Sequence, residues 1–170
     1  MVKYADGPTA EITIEIEAPP AAVWPIVTDI NTPAAFSDEF QGADWVDDGP
    51  AIGARFEGHN RRESMEWTVP CTVTGFEPER LFEWTVGDVA DKVARWRFEL
   101  TPTDAGSQLR FDAEMGPGRS GLTPMIERNP EAEEAIVEMR LGHWRENMTN
   151  TVEGIKVLAE ASTAAGEGES

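Results

Sequence analysis

The sequence predicts an α+β domain in which a curved, seven-stranded antiparallel sheet wraps round one long C-terminal helix. Two short helices fall between the first and second strands. Three observations predict this class. Val137, Leu141, Trp144, Met148, Val152, Ile155 and Ala159 recur at steps of four and three, which is one apolar face of a helix. Ile12, Ile14 and Ile16 alternate with Glu11, Thr13, Glu15 and Glu17, the pattern of a half-buried strand. Closing a hairpin through Pro102–Gly106 with Leu100 opposite Leu109 aligns Glu99 with Arg110, Arg97 with Asp112, and Arg95 with Glu114. Three opposite-charge pairs from one register are a strong signal of cross-strand pairing. A helix with so long an apolar stripe needs a large apolar partner, and the sheet supplies it.

Along the chain, Met1 to Pro8 carries no period and is expected to fray. The first strand spans Ala10 to Ala18 and stops at Pro19-Pro20, which opens a short helix to about Asp29. Pro25 falls within the first turns of that helix, where a missing N–H costs least. Pro33 to Ser37 is read as a second short helix. Strands follow at Phe40–Asp47, Ala54–Asn60, Met65–Val73, Leu81–Val86, Arg95–Leu100 and Leu109–Met115. A turn through Arg61–Ser64 would set Asn60 against Met65 and Gly58 against Trp67, and the turn at Glu77–Arg80 sets Val73 against Trp84. The glycine-rich run Gly116–Gly121 breaks the sheet and reads as a flexible lip. Leu122 to Arg128 suits a helical turn. Asn129 and Pro130 then supply start signals for the long helix, with Glu131, Glu133 and Glu134 at its positive end. It runs to Glu160, about eight turns. The tail from Ala161 to Ser170 has the composition of disorder.

The chain has 170 residues, with 32 acidic against 14 basic and a formal net charge of −18. Such a balance repels phosphate backbones and anionic bilayers, so nucleic acid is not an expected partner. No stretch approaches the ~20 apolar residues of a membrane span, and membrane insertion is not expected. A cytoplasmic protein, monomeric or homodimeric, is the expectation. The single cysteine, Cys71, excludes an internal disulfide and any multi-cysteine metal site. No phosphate loop, dinucleotide fingerprint, histidine-rich metal spacing or nucleophile elbow is present, so neither metal nor cofactor is expected. Six Trp against one Tyr point to wide apolar walls inside the fold.

The run Ile14-Glu15-Ile16-Glu17-Ala18-Pro19-Pro20-Ala21-Ala22-Val23-Trp24, followed by Val27-Thr28-Asp29-Ile30 and Pro33, resembles the opening of SRPBCC proteins. These are START-like, helix-grip proteins. Gly53–Gly58 and Cys71–Pro78 resemble the middle strands of the polyketide cyclase/dehydrase-type branch. The resemblance covers about Glu11 to Glu160. It implies a deep apolar cavity for a lipid, polyketide or other small hydrophobic molecule, in which some members catalyse cyclisation, dehydration or hydrolysis and many only bind. It carries no catalytic motif onto this chain.

The inward phases of the strands put Phe56, Trp67, Trp84, Trp96, Phe98, Phe111 and Met115 on the cavity side, with Trp144 and Met148 from the helix. Either aromatic core packing or a ligand cage explains the Trp set. His143 flanks the helix stripe and is either a partly exposed neighbour of the core or a proton carrier. Asn60 is the one polar residue on an inward strand phase, satisfied locally or orienting a ligand. Arg140 forms a helix-surface salt bridge or meets a ligand carboxylate at the mouth. His59 should face solvent, and Cys71 is a buried apolar thiol. Arg95, Arg97, Asp112 and Glu114 read as a solvated charge ladder rather than catalytic charges. Three functions remain open: a binder of a small hydrophobic or aromatic molecule, a cyclase/dehydratase-type enzyme using the same cavity, and a protein-interaction or chaperone-like module.

Overall fold

The computed structural model describes residues 2–167. Seven strands, β1 (Thr9–Ile16), β2 (Phe40–Trp45), β3 (Arg55–Arg62), β4 (Met65–Glu77), β5 (Leu81–Asp88), β6 (Asp91–Thr103) and β7 (Gly106–Met115), form one sheet in the order β1-β7-β6-β5-β4-β3-β2. Every neighbouring pair is antiparallel. The sheet curls round α3 (Glu133–Glu167), and the stripe from Val137 to Ala159 is buried against it. Because β1 and β2 hold opposite edges, the chain between them must cross the sheet's open side. It does so through α1 (Pro20–Val27), whose Val23 and Val27 are buried, and a 3-10 turn at Thr32–Ala35. A further short helix, α2 (Thr123–Arg128), precedes α3. The expected α+β helix-grip architecture is the one observed.

The β6–β7 hairpin has the expected register throughout, with Leu100 opposite Leu109 and all three charge pairs aligned. Val73 faces Trp84 across β4 and β5 as predicted. The β3–β4 register differs by two residues: Arg62 pairs with Met65, Asn60 with Trp67, and Gly58 with Val69. Glu63 adopts a left-handed backbone (φ 57°), which closes the hairpin in two residues and extends both strands. A slip of two keeps every side chain on its predicted face, so Trp67 still points inward. Above Gly58 lies the Phe40 ring, not the Trp67 indole; a Cβ there would stand 3.3 Å from it.

Other expectations change. The second short helix is a 3-10 turn, and α3 begins one 3-10 turn (Pro130–Ala132) after Asn129. The N-terminal segment is held rather than frayed: Tyr4 is buried, its hydroxyl donates to the Gly118 carbonyl at 2.5 Å, and its N–H donates to Glu133 Oε1 at 2.9 Å. The Gly116–Gly121 run is likewise pinned, with the N–H groups of Gly116 and Gly118 donating to the Val93 and Lys92 carbonyls at 2.7 Å. At the C-terminal end α3 continues through 161–167, since Ala161, Ala164 and Ala165 favour helix once a long segment is nucleated. Residues 168–170, and Met1, lie outside the described residues.

The charge ladder is half-buried rather than solvated. Asp112 keeps only 5% of its surface, under Arg95 Nη2 at 2.9 Å and Arg110 Nη1 at 3.3 Å, and Glu83 of β5 joins at 2.6 Å from Arg97. Long arginine side chains lying over their neighbours exclude water from the centre of this network.

Candidate functional site

Between the curled sheet and α3 lies a cavity of about 210 Å³. Its walls follow from strand parity. Trp84 and Trp96, directly opposed on β5 and β6, stack with ring centres 6.5 Å apart and planes 17° from parallel. Trp144 of α3 reaches down to Trp96 with centres 4.7 Å apart, joining helix to sheet. Phe98 and Phe111 stack at 4.0 Å behind them. Phe56 and Trp67 line the β3–β4 side, and Met148 the helix side. Among the described residues, no indole N–H of Trp67, Trp84, Trp96 or Trp144 is buried without a partner, and all four rings line the cavity.

Of the residues expected to line the cavity, Met115 is the exception. It is buried beside Ala94 in the packed core instead, where its flexible unbranched chain fills the space at the end of β7. Asn60 does line the cavity, opposite Trp67. Arg140 lines it too, but its guanidinium is committed: Nη1 and Nη2 donate to the two oxygens of Glu39 at 2.8 and 2.6 Å. Both side chains are mostly enclosed, 20% and 15% exposed. Burial works against the Glu39 charge, yet the Arg140 hydrogen bonds and the charges of Arg140, Arg62 and His143 hold its carboxyl below the usual carboxylate range.

His143 stands outside this cavity. It lines a neighbouring polar pocket of about 290 Å³ with Arg61, Arg62 and Glu146, and its Nε2 is 3.4 Å from Arg62 Nη2. Glu39 and Asn147 line both spaces and stand between them. His59 is on the surface as expected, between Asp44 at 2.8 Å and Thr68 at 3.1 Å. Cys71 lines the cavity, but burial pushes its thiol up to about 12, so it is no nucleophile at neutral pH. Among the described residues no group of three or more His, Cys, Asp or Glu is placed to hold a metal ion. No helix there is long and apolar enough to cross a membrane.

Sequence reasoning missed one wall. Ile30, Pro33, Ser37 and Glu39 come from the crossing segment, and with Phe40 at the start of β2 they cover the cavity on that side. A 3-10 turn has no amphipathic period to betray an inward face. The available signal was Ile30, Phe36 and Phe40 recurring in an otherwise polar stretch.

In comparison with known structures, a polyketide-cyclase-like protein from Corynebacterium glutamicum, Cgl2372, is 27% identical with a TM-score of 0.66, over 91% of this chain and 93% of that one. TTHA0849 from Thermus thermophilus shares the fold at 12% identity, with a TM-score of 0.62 over 91% and 99%. The di-domain ARO/CYC StfQ from the steffimycin biosynthetic pathway shares it at 11% identity and a TM-score of 0.71; 92% of this chain matches 51% of that one. No curated protein sequence matches the chain. The sequence profile described as polyketide cyclase/dehydrase and lipid transport matches residues 8–150, and the chain therefore belongs to that family.

Proposed function

We propose that the protein binds a small hydrophobic or aromatic molecule between the sheet and α3. The observation that carries this reading is an apolar void walled by four Trp residues, none of whose indole N–H groups is buried without a partner. A closed aromatic core would leave those donors buried without partners, at about 1–3 kcal/mol each. A cavity that admits a guest bearing oxygen acceptors satisfies them. At about 210 Å³ the space is smaller than the roughly 300–1,000 Å³ of drug-sized sites, so one or two fused rings suit it better than a sterol.

The cyclase/dehydratase reading needs a group inside the cavity to move protons. The polar groups there are Asn60, Asn147, Ser37, Thr151, the buried Cys71 thiol and the mutually paired Glu39 and Arg140; Asp29, also on the lining, is exposed, and its Oδ1 accepts the Asn31 N–H at 2.9 Å. His143 belongs to the other pocket. Binding without turnover is the reading these positions favour.

Native mass spectrometry of the purified protein, followed by tryptophan-quenching titrations with 1-naphthol, fatty acids and aromatic polyketides, tests it. Saturable one-to-one quenching by 1-naphthol is expected. Ala94→Phe, which puts a ring into the space above a lining alanine, should abolish it. Emission that is already blue and unresponsive to every compound would show that the indoles are core, and would overturn the reading.

A further inference from the structure

The Glu39–Arg140 pair is placed where a charged ligand group would have to arrive. Arg140 is a wall of the apolar cavity, and its planar fork is filled by a carboxylate in the two-bond geometry that any carboxylate can supply. That carboxylate comes from the residue just before β2, whose backbone is held by the Arg61 N–H donating to its carbonyl at 2.8 Å, so an exchange needs only the side chain to turn. Glu39 also lines the neighbouring polar pocket, where Arg61 and Arg62 have no carboxylate within salt-bridge distance among the described residues. Arg62 and His143 already act on Glu39 through their charge. Glu39 thus has a second cation, Arg62, on the side away from the cavity, in a pocket that also holds Asp38, Glu63 and Glu146.

We propose that Glu39 is an internal stand-in for a ligand carboxylate, and that the protein takes small aromatic or aliphatic carboxylic acids. This inference rests on the cavity binding a guest and adds the guest's head group. The apolar body enters between Trp84, Trp96 and Trp144. The ligand carboxylate replaces Glu39 on Arg140, and Glu39 turns outward to Arg62 and His143. Charge is conserved at each stage: Arg140 is never left without an anion, which a mostly enclosed guanidinium could not tolerate. Arg62 gains an ion pair that it lacks in the unliganded arrangement. The exchange is noncovalent, and no bond is made or broken beyond hydrogen bonds. Arg140 acts as the specificity-determining residue and Glu39 as its competitor.

The test compares 2-naphthoic acid, ionised at pH 7, with 2-naphthalenemethanol, which has the same ring system and no charge. Dissociation constants for both are measured by tryptophan quenching on the full chain, and the ratio between them is read. Glu39→Gln removes the competitor's charge and is expected to raise the preference for the acid by about tenfold or more. Arg140→Gln is expected to lower it below that of the wild type. The double variant Glu39→Gln/Arg140→Gln, which leaves no unpaired charge, should match Arg140→Gln and guards against a fold lost to a lone buried carboxylate. Glu146→Gln, which removes a negative charge from the neighbouring pocket without touching Arg140, separates pairing from general charge. A preference raised as much by Glu146→Gln as by Glu39→Gln would overturn the proposal. So would one unchanged across all variants while both naphthalenes bind, and the cavity reading would then stand. If neither compound binds the wild type or any variant, the cavity reading fails with it.

Discussion

At Asp112 the distinction between a surface ion pair and a buried one becomes measurable. Its side chain is 7% exposed and lies 2.9 Å from Arg95 Nη2, whereas Glu11, at the far end of the same network on Arg110, is 51% exposed. Removing a partner from an enclosed pair leaves its counter-charge without compensation, at ~3–5 kcal/mol. Arg95 has fallback partners in Glu83 at 3.7 Å and Glu114 at 4.0 Å, so about 2 kcal/mol is expected for Asp112→Ala. Glu11→Ala should leave the urea midpoint near that of the wild type, because exposed pairs are screened. Equal midpoints for the two variants would show that the network is solvated throughout. The pairing of these residues was legible from strand parity, because opposite charges across a hairpin constrain register. Their burial was not, since it depends on Glu83 joining from β5 and on the arginine stems lying over Asp112. The same holds at the site: parity placed Trp84 and Trp96 opposite each other, while the Glu39–Arg140 contact joins residues 101 apart in sequence, and no local pattern encodes it.

The long helix carries two interior glycines whose surroundings are opposite, so one substitution should act in two directions on one element. Gly142 is exposed with nothing within 4 Å of a Cβ built there. Alanine at that position should stabilise by up to ~1 kcal/mol, through helix propensity and a less flexible unfolded chain. Gly154 faces the Phe36 ring, and a Cβ would fall 2.3 Å from it. There the propensity gain is offset by overpacking of typically ~1–3 kcal/mol, so Gly154→Ala should be neutral to destabilising by about 2 kcal/mol. Phe36→Ala should remove the clash, giving a positive coupling in a double-mutant cycle read by chemical denaturation. Additive effects of the two would mean that the ring does not rest on the helix. Phe36 and Gly154 thus dock the crossing segment at one point of α3, and Glu39 and Arg140 dock it at another. Strands and the helix stripe were legible because their periods of two and 3.6 are written in apolar spacing. The crossing segment was not, because a 3-10 turn that leans on a helix through a glycine notch leaves no period to read.

Over the whole molecule the excess of acid sets a term that no single contact reveals. A formal charge of −18 raises the free energy of the compact state through self-repulsion, and the expanded chain relieves it. Added salt acts on two populations of charge. Unpaired surface carboxylates repel over distances comparable with the Debye length, about 30 Å at 0.01 M and about 8 Å at 0.15 M, so their repulsion is strongly screened in this range. The ion pairs on β5, β6 and β7 stand at 2.6–4.0 Å and are partly enclosed, so they are screened much less. Repulsion therefore falls faster than attraction, and salt should stabilise the fold. Raising sodium chloride from 0.01 to 0.2 M at pH 7 is expected to increase Tm, by about 2–4 °C for each kcal/mol of repulsion removed. Potassium chloride at equal ionic strength should do the same, because screening depends on charge and not on ion identity. A Tm that falls over this range would show instead that the ion-pair network on the outer face of the sheet, and not the net charge, dominates the electrostatic stability of the fold.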